Sequence, residues 1–237
     1  MIKSNKFKNN ILAVVCARGN SRGIKKKNLI KINNKPLIFY AIDKIIKNNL
    51  KYTCVSTDNL EIFKKSKKLG INGFFIRPKK LSSSNVSKLN VWKHALSQSE
   101  KFYSKKFKYL LDVEVTNPLT TKIDLKKFIN KFKNSKKNFD GMFCARNSWK
   151  NPYFNILKYK NKKYFPVIKH KKKIVSRQMA PKTFDHVAAM YIFKADYIKK
   201  TNYLLNGLLK IYDLPLIKSI DIDTHDDYSL VKKIMKK

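Results

Sequence analysis

In Ile11-Leu12-Ala13-Val14-Val15-Cys16-Ala17-Arg18-Gly19-Asn20-Ser21-Arg22-Gly23-Ile24-Lys25-Lys26-Lys27-Asn28, an unbroken apolar run gives way to a polar, basic loop. A continuous run of this length, carrying two Val and one Ile, is the pattern of a strand buried on both faces, as in parallel sheets. The loop leaves the carboxyl end of that strand, which is where open α/β sheets place their ligands. Its two glycines let backbone approach a ligand closely. Asn20 and Ser21 add hydrogen-bonding groups, and Arg18 and Lys27 add fixed positive charge. These are the parts needed to hold a polyphosphate, although an ordinary basic surface loop has the same composition. It is not a Walker A loop: the glycine spacing differs, and no Ser or Thr follows Lys27.

Working outward, Pro36 opens a helix with apolar residues at 37, 38, 41, 42, 45 and 46, one face of a 3.6-residue period. Residues 52–57 read as a second strand, with Asp58 capping a helix that ends near Gly70. Residues 74–76 form a short third strand, ended by Arg77-Pro78. A Ser-rich loop over 82–87 leads into a helix running to about Ser99. Residues 107–115 form a fourth strand, in which Asp112 and Glu114 point to the same face. Thr121 caps a helix over 123–134, and residues 140–145 form a fifth strand. Strand and helix alternate throughout, which predicts a doubly wound, mostly parallel α/β sheet with right-handed crossovers. The rhythm changes over 148–186, where aromatic, Pro and Lys residues suggest a β-rich insertion or flap. Residues 188–193 return to a core strand and 217–222 form a last one. Thr224 then caps a terminal helix, with Asp227 completing a capping box. The reading is one domain over 11–237 carrying an insertion at 148–186.

The bulk composition bounds what this domain can be. With 237 residues and 43% apolar content the chain can build a real core. The formal charge of +39 invites a nucleic-acid reading, but the cations are 49 Lys against 5 Arg and are spread along the chain. Base readers and bidentate phosphate grips lean on Arg. A solvated basic surface, with some attraction for anionic ligands, fits better. Cys16, Cys54 and Cys144 are far apart and sit in apolar stretches, as reduced core thiols of a cytoplasmic protein do. The apolar run at 11–17 is too short to span a bilayer, and it leads into a charged loop rather than a cleavage site.

Asp221 and Asp223 stand two apart beside Ile220 and Ile222, so both carboxylates share one side of a strand end. Hard oxygens in that arrangement suit Mg²⁺, which often uses one or two carboxylates plus nucleotide phosphates. Asp223 serving only the helix cap is the plainer alternative. His94, between Trp92 and Leu96, reads as a packed helix residue, and His186 reads equally as a structural one.

These motifs together resemble the acylneuraminate cytidylyltransferases, the family of the CMP-sialic acid synthetases and related CMP-nonulosonic acid synthetases, over about residues 11–234. The family's strand is followed by Ala-Arg, two residues, Ser-Lys/Arg-Gly and a Lys-Asn pair. Ala17, Arg18, Ser21, Arg22, Gly23, Lys27 and Asn28 stand at matching spacing. Val55-Ser56-Thr57-Asp58, Arg77-Pro78 with its Ser-rich loop, and Asp221-Ile222-Asp223-Thr224 also match in order. The resemblance implies a nucleotidyltransferase fold of three layers and a reaction of CTP with an acidic sugar. It places Ala17, Arg18, Ser21, Lys27, Asn28, Arg77 and Ser87 at CTP, and Mg²⁺ on Asp221 and Asp223. It makes Arg18, Lys27 and Asp223 the catalytic set. It assigns the sugar to Glu114, Thr116, Asn117 and Arg177.

On the sugar side the chain departs from the family. Glu114 replaces a common Gln, Thr120 an Arg, Val187 an Asn, Phe154 a Lys and Ser84 an Asp. These departures point to a nonulosonic acid other than sialic acid itself. Tyr153, Phe154, Tyr164 and Phe165 of the insertion suit a homodimer contact better than base stacking. The expectation is a cytoplasmic enzyme with no specific nucleic-acid or membrane partner. Two alternatives stay open: a basic nucleic-acid-binding protein, and a family member that binds nucleotide without turnover.

Overall fold

The computed structural model describes residues 6–21, 23–73 and 75–236. Its first strand, β1 (Ile11–Cys16), is wholly apolar and almost wholly buried. Successive side chains of a strand face opposite ways, and β1 uses both sides. Ile11, Ala13 and Val15 enter one hydrophobic cluster, while Leu12 and Val14 enter another on the opposite face.

A two-residue ladder, β2 (Lys31–Ile32) with β3 (Lys35–Pro36), turns through Asn33 and Asn34, both at positive φ, and leads into α1 (Leu37–Ile46). Then come β4 (Tyr52–Ser56), α2 (Leu60–Lys68), α3 (Lys88–Phe102), β5 (Tyr109–Val113), α4 (Lys122–Lys133) and β6 (Gly141–Asn147). The chain continues through β7 (Leu157–Lys160), β8 (Lys163–Pro166), β9 (Phe184–Lys194), α5 (Ala195–Lys200), β10 (Leu209–Asp213) and α6 (His225–Ile234). Six strands form one sheet in the order β10-β6-β9-β5-β1-β4, with β9 antiparallel to the other five. The faces of α1, α2, α4 and α6 pack on one side through Ile42, Ile62, Phe128 and Val231. On the other side α3 and α5 pack through Trp92, Leu96 and Ile198. This is the three-layer, mostly parallel α/β arrangement that the alternation of elements predicts.

Four local expectations change. The helix after β4 is capped not by Asp58 but by Asn59, whose side chain accepts from the Ile62 amide. The two residues are adjacent and equally suited to a cap, and Asp58 instead accepts from the Gly19 amide at 2.8 Å. No strand forms at Phe75 and Ile76, where Gly73 makes only an isolated bridge to Cys54, and Phe74 lies outside the described residues. Residues 217–222 are not the last strand. Leu216–Ser219 is a 3-10 turn and 220–223 is extended coil, while the edge strand of the sheet is β10. Asp221 and Asp223 therefore stand on coil tied to the strand loops: the Ile222 amide donates to the Thr116 carbonyl at 2.9 Å. The cap at Thr224 forms as the sequence predicts, with reciprocal bonds to Asp227.

Within 148–186, β7 and β8 form a hairpin turned by Asn161 and Lys162, both at positive φ, as a two-residue turn of the I′ kind requires. Buried Asn151 anchors its root, its amide donating to the Pro181 carbonyl at 2.8 Å. Leu157, Tyr159, Tyr164 and Val175 remain exposed. No helix among the described residues is long and apolar enough to cross a membrane.

Candidate active site

The carboxyl ends of β1, β4 and β5 lie side by side, and the loops leaving them enclose two compartments that share Cys16 and Arg18. The first, about 240 Å³, is bounded by the loop after β1, by Thr116 and by Asp223. The loop is held from several sides. Its Gly19 amide is bound by Asp58, and the Asn28 side chain donates to the Arg18 carbonyl at 2.8 Å. Ala17 is fully buried and its amide donates to the Ser56 carbonyl. Gly23 passes against the Asp223 backbone so closely that any β-carbon would collide with the Asp223 carbonyl oxygen. Ser21 and Gly23 line the cavity between these ties, and Arg22 lies outside the described residues.

Lys27 crosses from this loop to the carboxylate segment. Its ammonium donates to the Ile222 carbonyl and to Asp223 Oδ1, both at 2.7 Å. The Lys27 side chain is largely buried, whereas that of Asp223 is 71% exposed. Asp221 is the more enclosed of the two carboxylates. Burial raises its pKa, Thr116 opposes the rise by hydrogen bonding, and the neighbouring Asp223 charge adds to it. Asp221 Oδ1 is buried without a hydrogen-bond partner among the described residues, an unusual state for a polar atom. A hard cation shared with phosphate oxygens would satisfy it. Among the described residues no group of three or more His, Cys, Asp or Glu side chains is placed to hold a metal. Two carboxylates alone suit a divalent cation that takes the rest of its shell from other oxygen donors.

The second compartment, about 350 Å³, is bounded by Arg77, the serine loop at 82–84, Lys88 and Glu114. Arg77 is 5% exposed, and its Nε and Nη2 have no hydrogen-bond partner among the described residues. Asp58 stands 3.9 Å from Nη2. Burial lowers the Arg77 pKa, and nearby Cys16 and Asp58 oppose that. Buried guanidinium donors aimed at a cleft are suited to a planar polar ligand. Lys88, which the sequence did not single out, pairs with Asp112 at 2.9 Å and with Glu114, and lies over the Tyr191 ring. Trp92 donates to the same Asp112 at 2.7 Å.

Other expected residues are placed differently. Ser87 caps α3, accepting from the Asn90 amide, and does not line either compartment. Asn117 is fully buried and spends its amide on the Lys218 and Ile220 carbonyls, so it builds the site rather than facing it. Thr116 lines the first compartment and Glu114 the second. Arg177 stands at the root of the insertion, donating to the Ser148 carbonyl at 2.8 Å. Its cleft of about 370 Å³ shares no lining residue with the other two. His186 is packed between Phe143 and Tyr191, and His94 against Phe75.

Known proteins resemble this chain over nearly all its length. The post-translational flagellin modification protein B of Campylobacter coli is 32% identical over 228 residues, 95% of each chain. The CMP-N,N'-diacetyllegionaminic acid synthase of Campylobacter jejuni is 35% identical over 224 residues, 94% of this chain and 93% of that one. Among solved structures, a CMP:2-keto-3-deoxy-manno-octonic acid synthetase complexed with CTP superposes with a TM-score of 0.67. It covers 95% of this chain and 98% of its own at 11% identity, a likeness of fold. A cytidylyltransferase family profile matches residues 12–234, so the strand, the basic loop and the carboxylate segment all fall inside the match, and the chain belongs to the cytidylyltransferase family of nucleotidyltransferases.

Proposed function

We propose that the protein transfers CMP from CTP to the anomeric hydroxyl of a nine-carbon acidic 2-keto sugar, releasing pyrophosphate. The observation that carries this reading is the convergence of Lys27 and Asp223, 196 residues apart in sequence, across one cavity at the end of β1. The relative that makes CMP-N,N'-diacetyllegionaminic acid supports a nonulosonic acceptor. So do the pseudaminic acid cytidylyltransferases of Campylobacter jejuni, 27% identical over 230 residues. The replacements at Ser84, Glu114, Thr120, Phe154 and Val187 favour an acid other than sialic acid itself.

In this reading the triphosphate occupies the first compartment and the base lies toward Arg77. The acceptor oxygen attacks the α-phosphorus in line while pyrophosphate leaves. Catalysis is then mostly positioning and charge neutralisation. Arg18 and Lys27 offset charge on the α-phosphate and the leaving group, and Asn28 keeps the loop closed on them. Asp221 and Asp223 would hold Mg²⁺, which when bound supplies Lewis-acid neutralisation of phosphate oxygens. Thr116 orients Asp221. Asn117 supports the segment from behind, and Glu114 meets a donor group of the ligand. Arg177, in its separate cleft, takes no part in this step. The exposed apolar side chains of the hairpin suit a homodimer contact. A cytoplasmic location and the absence of a specific nucleic-acid partner follow from the same reading.

The test is pyrophosphate release by purified protein with CTP, Mg²⁺ and a panel of N,N'-diacetyllegionaminic, pseudaminic and N-acetylneuraminic acids. Turnover with at least one is expected. Absence of both turnover and CTP binding overturns the proposal. CTP binding without turnover would favour a member that has kept the nucleotide site alone.

A further inference from the structure

Lys44 lies in the last turn of α1 and is 2% exposed. Among the described residues its amine forms no ion pair, although Asp124 and Asp43 are near enough to act on it electrostatically. The amine donates to the Asn117 carbonyl at 3.0 Å and to Thr120 Oγ1 at 2.7 Å, and Thr120 Oγ1 donates onward to the same carbonyl at 3.1 Å. Burying an amine whose hydrogen-bond acceptors are all neutral carries a desolvation cost that an apolar side chain would not incur. Stability alone therefore does not explain a lysine here.

The loop that Lys44 holds is the one on which the carboxylate segment rests. Asn117 donates to the carbonyls of Lys218 and Ile220, and the Thr116 carbonyl receives the Ile222 amide. From the other end, Lys218 pairs with Asp124 at 2.6 Å. The 116–120 loop is thus gripped from below by Lys44 and grips 218–222 from above, one residue short of Asp223.

We propose that Lys44 is a positioning residue for the Asp221–Asp223 segment, fixing the 116–120 loop so that the two carboxylates are preset for a divalent cation. This rests on the metal reading given above. It predicts that Lys44 acts on the metal-dependent part of nucleotide binding and leaves the metal-free part alone.

The experiment is calorimetric titration of the protein with CTP in Mg²⁺ and in EDTA, for wild type, Lys44→Met and Asp223→Ala. Wild type is expected to bind CTP more tightly in Mg²⁺, and Asp223→Ala to lose that gain. In Lys44→Met the gain should shrink about tenfold while the affinity in EDTA stays within twofold. An undiminished Mg²⁺ gain in folded Lys44→Met overturns the inference, as does an equal fall in both affinities, which marks a merely structural role. If Asp223→Ala keeps the gain, the metal reading falls and the inference with it. Should Lys44→Met not fold, Thr120→Val removes one of the two acceptors without changing shape. An approximately threefold loss of the gain is expected there, and no loss overturns the inference.

Discussion

Asp112 and Glu114, at the end of β5, and Asp221 and Asp223, on the coil before α6, are two carboxylate pairs of identical spacing. Each contains one orphan oxygen, Asp112 Oδ1 and Asp221 Oδ1. They differ in their cations and in access. Lys88 clamps both members of the first pair, Trp92 fixes Asp112, and Asp112 is wholly enclosed. Lys27 touches only Asp223 in the second pair, and Asp223 is open to the cavity. A spacing of two therefore sets which side chains travel together, and the neighbouring ammonium sets whether the pair is free to share a metal. In the first pair the ammonium already occupies the place a metal would take.

The contrast can be broken by removing one member of each pair. Asp223→Ala is expected to lower turnover by about 10³, roughly 4 kcal/mol of transition-state stabilisation. Its melting temperature should change little, because the Asp223 carboxylate is largely exposed and Lys27 keeps the Ile222 carbonyl as acceptor. Asp112→Ala should do the reverse. It leaves Lys88 and the Trp92 indole N–H without their buried partner, so a loss of about 3 kcal/mol in denaturant unfolding is expected, with the Mg²⁺ dependence intact. If both variants lose stability equally, or both lose metal dependence, the distinction between the pairs fails.

A third prediction sharpens the role of burial. Burial lowers the Lys44 pKa from its ordinary 10.5 to about 7, against the opposing carboxylate charges of Asp124 and Asp43. Between those values the unfolded chain holds a proton that the folded chain has released, so stability rises with pH across that window and is flat below it. Relative to Lys44→Met, the wild type should therefore gain on the order of a few kcal/mol between pH 7 and 10 in chemical unfolding. A parallel pH profile in the two proteins would place the ammonium in water. The smallest effect is expected at the cap. Thr224→Ala removes the acceptor for the Asp227 amide and should cost about 1 kcal/mol of stability.

Long-range architecture was legible where sequence pattern and burial coincide. The run at β1 and the 3.6-residue period of α1 each describe a surface that a single strand or helix must hide. The capping boxes at Thr121 and Thr224 are local bonds written in four residues. What escaped notice depends on tertiary neighbours. Leu209-Lys210-Ile211-Tyr212-Asp213 is a half-buried edge strand, so its alternation is diluted. Ile217 and Ile220 looked more strand-like, yet they lie in a turn and coil. Of the residues expected at the site, Arg18, Lys27, Arg77 and Asp223 line the two compartments, and Asp221 stands enclosed beside them. The supports of the site were not legible. Lys44, Lys88 and Asp58 are charged residues in a chain full of charge, and only the fold distinguishes those turned inward. Asn117 and Ser87 carry the right chemistry for a ligand but spend it on the backbone.

Gly23 and Lys27 meet the backbone and side chain of a residue that the ribosome adds some two hundred positions later. Chains are made from the amino terminus and begin folding as they emerge. The basic loop is thus available well before the carboxylate segment that it meets. Over that stretch of synthesis the nascent chain carries the cationic wall of the cavity alone and can attract polyanions. The cavity is complete only when the 221–223 segment meets the loop.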